Sequence, residues 1–158
     1  MTANAIHPVV RHVAARDAAA LALGVEVLEA RPGFARCAMT IVERHANPHG
    51  VCHGGVLFTF ADSAFGYACN AWNQVSVAQG ADIDFVRPGR VGVRLVAVAE
   101  ERARAGRSGV YDVTVTTEAG EVVALLRGRS RVVGGAILPE GQPEAAQSEA
   151  AQSEAPSR

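Results

Sequence analysis

Apolar residues run almost without interruption from Val56 to Trp72, and Asp62 is the only carboxylate among them. Leu57, Ala61, Ala64 and Ala68 form one stripe at helical spacing and Phe58, Asp62, Phe65 and Cys69 form its neighbour, so the segment predicts a helix that begins near Gly54 and is covered on nearly every side. Upstream, Val9 to Leu23 is rich in Ala and Leu and closes on Gly24, the pattern of a short helix with a glycine stop. Val25 to Ala30 and Phe34 to Val42 are β-compatible runs around Arg31-Pro32-Gly33, which predicts a hairpin. Glu43 to Cys52 reads as a loop. Val75 to Val86, Val91 to Glu101, Gly109 to Thr117 and Val122 to Val133 are strand-like, broken by turn residues at Arg87-Pro88-Gly89, Ala105 to Gly109 and Glu118 to Glu121. Short turns between consecutive strands favour antiparallel pairing, which gives an α+β fold: a meander of several strands with one long buried helix.

A length of 158 residues with 49% apolar composition suits one domain with a full core, placed at residues 1–138. From Pro139 onward the composition changes to a tandem repeat of Glu, Ala, Gln and Ser, which has too little apolar surface to order itself and reads as a disordered tail over 139–158. Fifteen basic and sixteen acidic side chains leave a net charge of -1, so no overall pull toward nucleic acid or anionic lipid is expected and any anion site must be local. Three cysteines without a CxxC pair or zinc-ligand spacing fit core packing in a reducing compartment, with no metal. Met1 to His12 lacks the apolar run of an export signal, so a cytoplasmic location is expected. Gly54 to Trp72 approaches the length of a membrane helix, but Asp62, Asn70, its many small residues and the strand-like sequence after it favour a helix buried in a water-soluble fold.

The chemistry concentrates around Asn47-Pro48-His49-Gly50-Val51-Cys52-His53-Gly54-Gly55 and the helix that follows. The first N–H groups of a helix have no internal partner and lie at the positive end of its dipole, so Gly54 or Gly55 can donate to an oxyanion, and glycine lets a carbonyl approach the bare backbone. The bland alternative is that two glycines simply let the chain turn. Asp62, walled by Phe58, Phe60 and Phe65, is suited to act as a general base on water or as a nucleophile on a carbonyl carbon, against the alternative of an acid facing solvent. At about 1.5 Å rise per residue, Gly54 and Asp62 of one helix are about 12 Å apart, too far to serve one carbonyl. Two antiparallel helices across a two-fold axis would instead bring one chain's glycine pair to the other's acid, giving a homodimer with shared sites. The Asn47 amide can bind substrate or position water, or can merely make an Asn-Pro turn. For His53, capping the helix or fixing the loop is favoured over direct acid–base work.

The pattern Asn47, His53-Gly54-Gly55, Leu57-Phe58, Ala61-Asp62 and Ala64-Phe65, followed by Asp84-Phe85-Val86-Arg87-Pro88-Gly89, Gly109 to Asp112, Ala124 to Gly128 and Gly134-Gly135, resembles the hotdog-fold acyl-CoA thioesterases and, among them, the PaaI-type group of phenylacetate degradation. The likeness covers most of residues 17–137. It implies an antiparallel sheet wrapped around a long central helix, a dimer with one continuous sheet, and usually a homotetramer. It also implies a catalytic set of Asn47, Gly54 and Asp62, with Gly55 and His53 beside them. A Ser or Thr that some relatives place after the helix has no secure counterpart; Ser76 and Gln79 are the nearest candidates. The acyl pocket is expected to be lined by Phe58 and Phe65. Coenzyme A, part of the substrate rather than a cofactor, calls for a basic rim, for which Arg87, Arg90, Arg107, Arg127, Arg129 and Arg131 are candidates; Arg87 and Arg107 are favoured because they adjoin turns with glycine or proline, and Pro88 is placed with them at the substrate. The expected activity is hydrolysis of phenylacetyl-CoA or a hydroxylated relative. Alternatives are a medium-chain acyl-CoA thioesterase and a non-catalytic acyl-CoA-binding module. A hydratase on this fold would place a His five residues after the acid, where this chain has Tyr67.

Overall fold

The computed structural model describes residues 5–139. Two short helices, α1 (Pro8–Ala14) and α2 (Ala18–Leu23), precede a hairpin of β1 (Glu26–Arg31) and β2 (Phe34–Thr40). The long helix α3 (Gly54–Asn70) follows, then β3 (Ser76–Phe85), β4 (Arg94–Ala105), β5 (Ser108–Thr117) and β6 (Val122–Val132). The six strands form a single antiparallel sheet in the order β1-β2-β4-β5-β6-β3. All six pack against α3, while α1 and α2 close its other side. This is the hotdog architecture expected from the sequence. The tail reading from residue 140 onward lies outside the described residues.

Two expectations are corrected. The single helix predicted over Val9 to Leu23 is broken, because Asp17 leaves the helical conformation to cap α2, accepting the Ala20 N–H at 3.0 Å. Gly24 closes α2 as predicted, with φ +73. The strands also depart from a simple meander. β4, β5 and β6 follow one another, but β3 lies beyond β6, and β4 takes its place beside β2. Segment 86–93 makes the crossing and is held by Cys52 N–H to Gly89 O (2.8 Å) and Ile41 N–H to Val93 O (2.9 Å). Those bonds bring the Arg87-Pro88-Gly89 turn next to the start of α3.

The core forms where the sheet's concave face meets α3. Tyr111, Val113 and Val115 alternate inward from β5, as Leu95, Ala97 and Ala99 do from β4. Phe65 meets Tyr111 with ring centroids 5.3 Å apart and lies so close to Gly128 that a Cβ there would be 2.8 Å from its ring. Only glycine at 128 allows this helix-to-sheet contact. On the outer face, Arg127 makes a bidentate pair with Asp112 and Arg129 pairs with Asp82. Asn70 fixes the other end of α3, its amide bonding the backbone of Ser76 in both directions. Among the described residues no helix is long and apolar enough to cross a membrane.

Candidate active site

The loop before α3 is organised by its own side chains. Asn47 Oδ1 accepts the N–H of His49 (2.9 Å) and of Val51 (3.3 Å), and the Asn47 N–H donates to Val51 O (2.8 Å). With the oxygen committed inward, the Asn47 Nδ2 is left as a donor with no partner among the described residues. His45, buried at the root of this loop, accepts the Val42 N–H on Nδ1 and the His53 N–H on its carbonyl (2.8 Å). Burial first, then the Arg44 charge, holds its imidazole below the usual range, so it stays a neutral loop anchor.

His53 is the N-cap of α3, and its Nδ1 accepts the Gly55 N–H at 2.9 Å. The carbonyl of His53 takes the N–H groups of Val56 and Leu57. Of the first helical N–H groups, that of Gly54 alone remains unpaired among the described residues. The residues alone left Gly54 and Gly55 both open as donors, while the resemblance pointed to Gly54; the cap separates them. It also gives His53 the structural role favoured from the sequence.

A cavity of about 300 Å³ opens at this point, lined by Asn47, Val51, Cys52, Gly54, Leu57, Phe85, Val86, Arg87 and Pro88. It brings together Asn47, Gly54, Arg87 and Pro88 from the sequence-predicted set. Phe85 sits directly over Gly54, where a Cβ would lie 3.1 Å from its ring. The Arg87 guanidinium donates to Val122 O at 3.0 Å, which ties the cavity rim to β6. Burial pushes the Cys52 thiol up to about 11, so it lines the cavity as a neutral apolar group rather than a nucleophile.

Other predicted residues lie elsewhere. Phe65 is in the core against Gly128 and Tyr111, only 1% exposed, and so does not line the cavity. Arg107 belongs to the β4–β5 turn and donates to Val132 O (2.8 Å), toward the opposite end of the sheet from Gly54. Ser76 Oγ is spent on Gln74 O, also beyond the far end of α3, and Gln79 is the extra residue of a bulge in β3. Phe58 is partly buried on α3, outside the cavity.

Asp62 is partly buried, two turns into α3, and does not line the cavity either. Burial, and then the negative charge of Asp17, raise its carboxyl above the usual carboxylate range. The sequence missed Asp17 as a participant. Its second oxygen accepts the Tyr67 hydroxyl at 2.9 Å, joining the α1–α2 junction to α3. An Asp immediately before Ala-Ala-Ala-Leu is a readable helix-cap signal, but nothing local announces a tyrosine fifty residues later as its partner.

Comparison with known proteins agrees with this architecture. The sequence matches the thioesterase superfamily over residues 49–124. It is 44% identical over 124 residues to the acyl-coenzyme A thioesterase PaaI of Escherichia coli K12, spanning 78% of this chain and 89% of that one. The solved structure of the E. coli PaaI protein, from the phenylacetic acid degradation operon, superposes with a TM-score of 0.80 at 41% identity, covering 82% of this chain and 94% of that one. A variant of the phenylacetic acid degradation protein PaaI from Thermus thermophilus gives 0.69 at 38% identity, covering 72% and 97%. With the wrapped helix, the free amide at its start and the acid within it, these similarities place the chain in the hotdog-fold acyl-CoA thioesterases, as an enzyme of the PaaI type.

Proposed function

We propose that this thioesterase hydrolyses phenylacetyl-CoA or a hydroxylated phenylacetyl-CoA, at two equivalent sites shared between the subunits of a dimer. The reading is carried by the unpaired Gly54 N–H, at the positive end of α3, on a residue that lines the same cavity as Asn47 with its free amide nitrogen. The thioester carbonyl oxygen would accept from Gly54, where the dipole and a desolvated donor stabilise the developing oxyanion. Asn47 would hold the thioester or the attacking water. Asp62 of the second copy would remove a proton from the attacking water, and the C–S bond then breaks with that proton passed to sulfur. Alternatively, Asp62 would itself attack the carbonyl carbon, expelling the thiolate and forming a mixed anhydride. A water then hydrolyses the anhydride, freeing the acid and the carboxylate and supplying the proton that the thiolate takes up. No cofactor is required, since coenzyme A belongs to the substrate.

Support for the dimer comes from the sheet edges. The β1 edge is partly covered by the N-terminal stretch, through Ile6 against Ala30 and His7 N–H to Ala30 O at 2.9 Å. The ten-residue outer edge of β3 has no such cover among the described residues, and β3 exposes Val77 and Phe85. A long open edge with apolar side chains is suited to pairing with a second copy. A homotetramer and a cytoplasmic location complete this reading. The acyl preference follows the relatives' role in phenylacetic acid degradation and the apolar walls of Leu57, Phe85 and Val86.

A thiol-release screen across phenylacetyl-, hydroxyphenylacetyl-, benzoyl- and straight-chain CoA esters tests the substrate. A clear preference for the phenylacetyl esters is expected. Equal or faster cleavage of straight-chain esters would replace it with the medium-chain reading, and binding without cleavage of any ester would remove the enzyme.

A further inference from the structure

Of the arginines that the sequence offers to the phosphates of coenzyme A, most are committed elsewhere. Arg127 and Arg129 are paired with Asp112 and Asp82 on the outer face of the sheet. Arg107 is bound to Val132 O, and Arg131 stands opposite Val77, at the other end of β3 from the Phe85 that covers Gly54. Arg87 lines the cavity, with part of its guanidinium donating to Val122 O. Arg90 remains, and its guanidinium has no ion pair or hydrogen bond among the described residues. Its backbone is nonetheless fixed. Arg90 forms an antiparallel bridge with Val51, its carbonyl accepts the Val93 N–H at 3.1 Å, and the neighbouring Gly89 O accepts the Cys52 N–H at 2.8 Å. A Cβ at Gly89 would point inward, 2.7 Å from Ile41 Cδ1 and 3.3 Å from the Cys52 Cβ. Alternation along an extended segment turns Arg90 the other way, and it is exposed. Opposed residues of an antiparallel pair project to one side, so Arg90 shares that side with Val51, a residue of the cavity wall.

We propose that Arg90 binds the phosphates of the coenzyme A moiety, holding the nucleotide arm outside the cavity while the thioester lies at Gly54. This rests on the acyl-CoA reading of the site and deepens it. The pantetheine arm separates the thioester sulfur from the diphosphate, so a cation for the phosphates must stand beyond the cavity wall rather than in it. Val51 and Gly54 are joined by at most about 11 Å of chain, and the bridge to Arg90 followed by its long side chain extends that reach outward. A guanidinium presents donors in one plane that match phosphate oxygens two at a time. One with no carboxylate partner breaks no ion pair to accept them. The chain's net charge of -1 does not draw in a polyanion, so the attraction has to come from a cation placed at the site.

The test compares two substrates that share a thioester: phenylacetyl-CoA, and the phenylacetyl ester of N-acetylcysteamine, which lacks the phosphates. In Arg90→Gln the ratio of kcat/KM for the CoA ester to that for the short ester should fall about ten-fold or more, through KM. Added salt should bring the wild-type ratio toward that of the variant. Arg90→Lys, which keeps the charge and loses the paired donors, should fall between the two. Arg131→Gln, which removes an exposed arginine at the far end of the sheet, should hold the ratio within about two-fold. A ratio unmoved in Arg90→Gln, equal losses on both esters, or an equal fall in Arg131→Gln would overturn the role of Arg90. Coenzyme A alone, titrated by calorimetry, keeps the two readings apart. If wild type cleaves neither ester, the hydrolytic reading fails, while Arg90 is still decided by binding: about ten-fold weaker coenzyme A in Arg90→Gln supports it, and an unchanged Kd overturns it.

Discussion

At the start of α3 nearly every polar group is answered from within the chain: Asn47 Oδ1 by two N–H groups, the Gly55 N–H by His53, the His53 N–H by His45. Left without a partner among the described residues are the Gly54 N–H and the Asn47 amide nitrogen, both on residues that line the cavity, and, beneath them, the buried His45 Nε2. Two turns along the same helix the pattern reverses. Asp62 is partly buried, forms no ion pair among the described residues, and is acted on by a charge of its own sign, that of Asp17. In the shared-site reading proposed above, the donor end of one copy and the acid of another complete each other.

The largest effect should come from the acid end. Asp62→Asn removes base or nucleophile while barely changing volume, so thiol release should fall by at least about 10³-fold with the oligomer intact, as read by size exclusion. The same change should raise stability at neutral pH. A carboxyl whose folded pKa is raised destabilises the fold above that pKa and not below its unfolded value. The variant's gain in Tm should therefore be present at pH 7 and fade as pH falls through the Asp62 pKa. A variant less stable than wild type at pH 7 would show that Asp62 has a favourable partner.

At the donor end, Gly54→Pro deletes the unpaired N–H and adds a ring in its place. Proline is favoured at the first helical position, and His53 has φ -61 and ψ 135, which suit a residue before proline. The helix should persist while kcat falls by about 10²–10³. Gly54→Ala is the control, since it adds the same Cβ against Phe85 but retains the donor, and it should lose about ten-fold or less. Equal losses in both would assign the effect to crowding. Asn47→Asp, which keeps the loop's acceptor and loses the Nδ2 donor, should cost roughly ten- to a hundred-fold in thiol release at unchanged Tm. The smallest effect on turnover should come from His53→Ala, whose lost cap costs about 1 kcal/mol in thermal unfolding.

How legible these two ends were follows from how local their signals are. His53-Gly54-Gly55 before an apolar run predicts a start near Gly54, where α3 begins, because capping and glycine act within a single turn. The central helix, the strand-like runs and most turns were readable for the same reason. Which residue meets which across the sheet was not. The placement of β3 beyond β6 depends on non-local pairing such as Ile83 with Leu126, which no local pattern announces. Phe65 was read as pocket lining because an aromatic near an acid suits either role. Only the absence of a side chain at Gly128, on a strand sixty residues away, decides that it enters the core. Arg107 was favoured for its turn, but a turn's chemistry does not say at which end of the sheet it lies. Asp17 was hidden inside an alanine-rich run that looked like one helix.

Whether the acid and the amide come from different copies is best tested by mixing two inactive proteins, Asp62→Asn and Gly54→Pro, co-refolded so that subunits exchange. A mixed dimer contains one site with an intact Gly54 and an intact Asp62, so random pairing should restore about a quarter of wild-type thiol release. A mixture no more active than its two components, with exchange verified by mass, would show that both groups serve the thioester from within one chain.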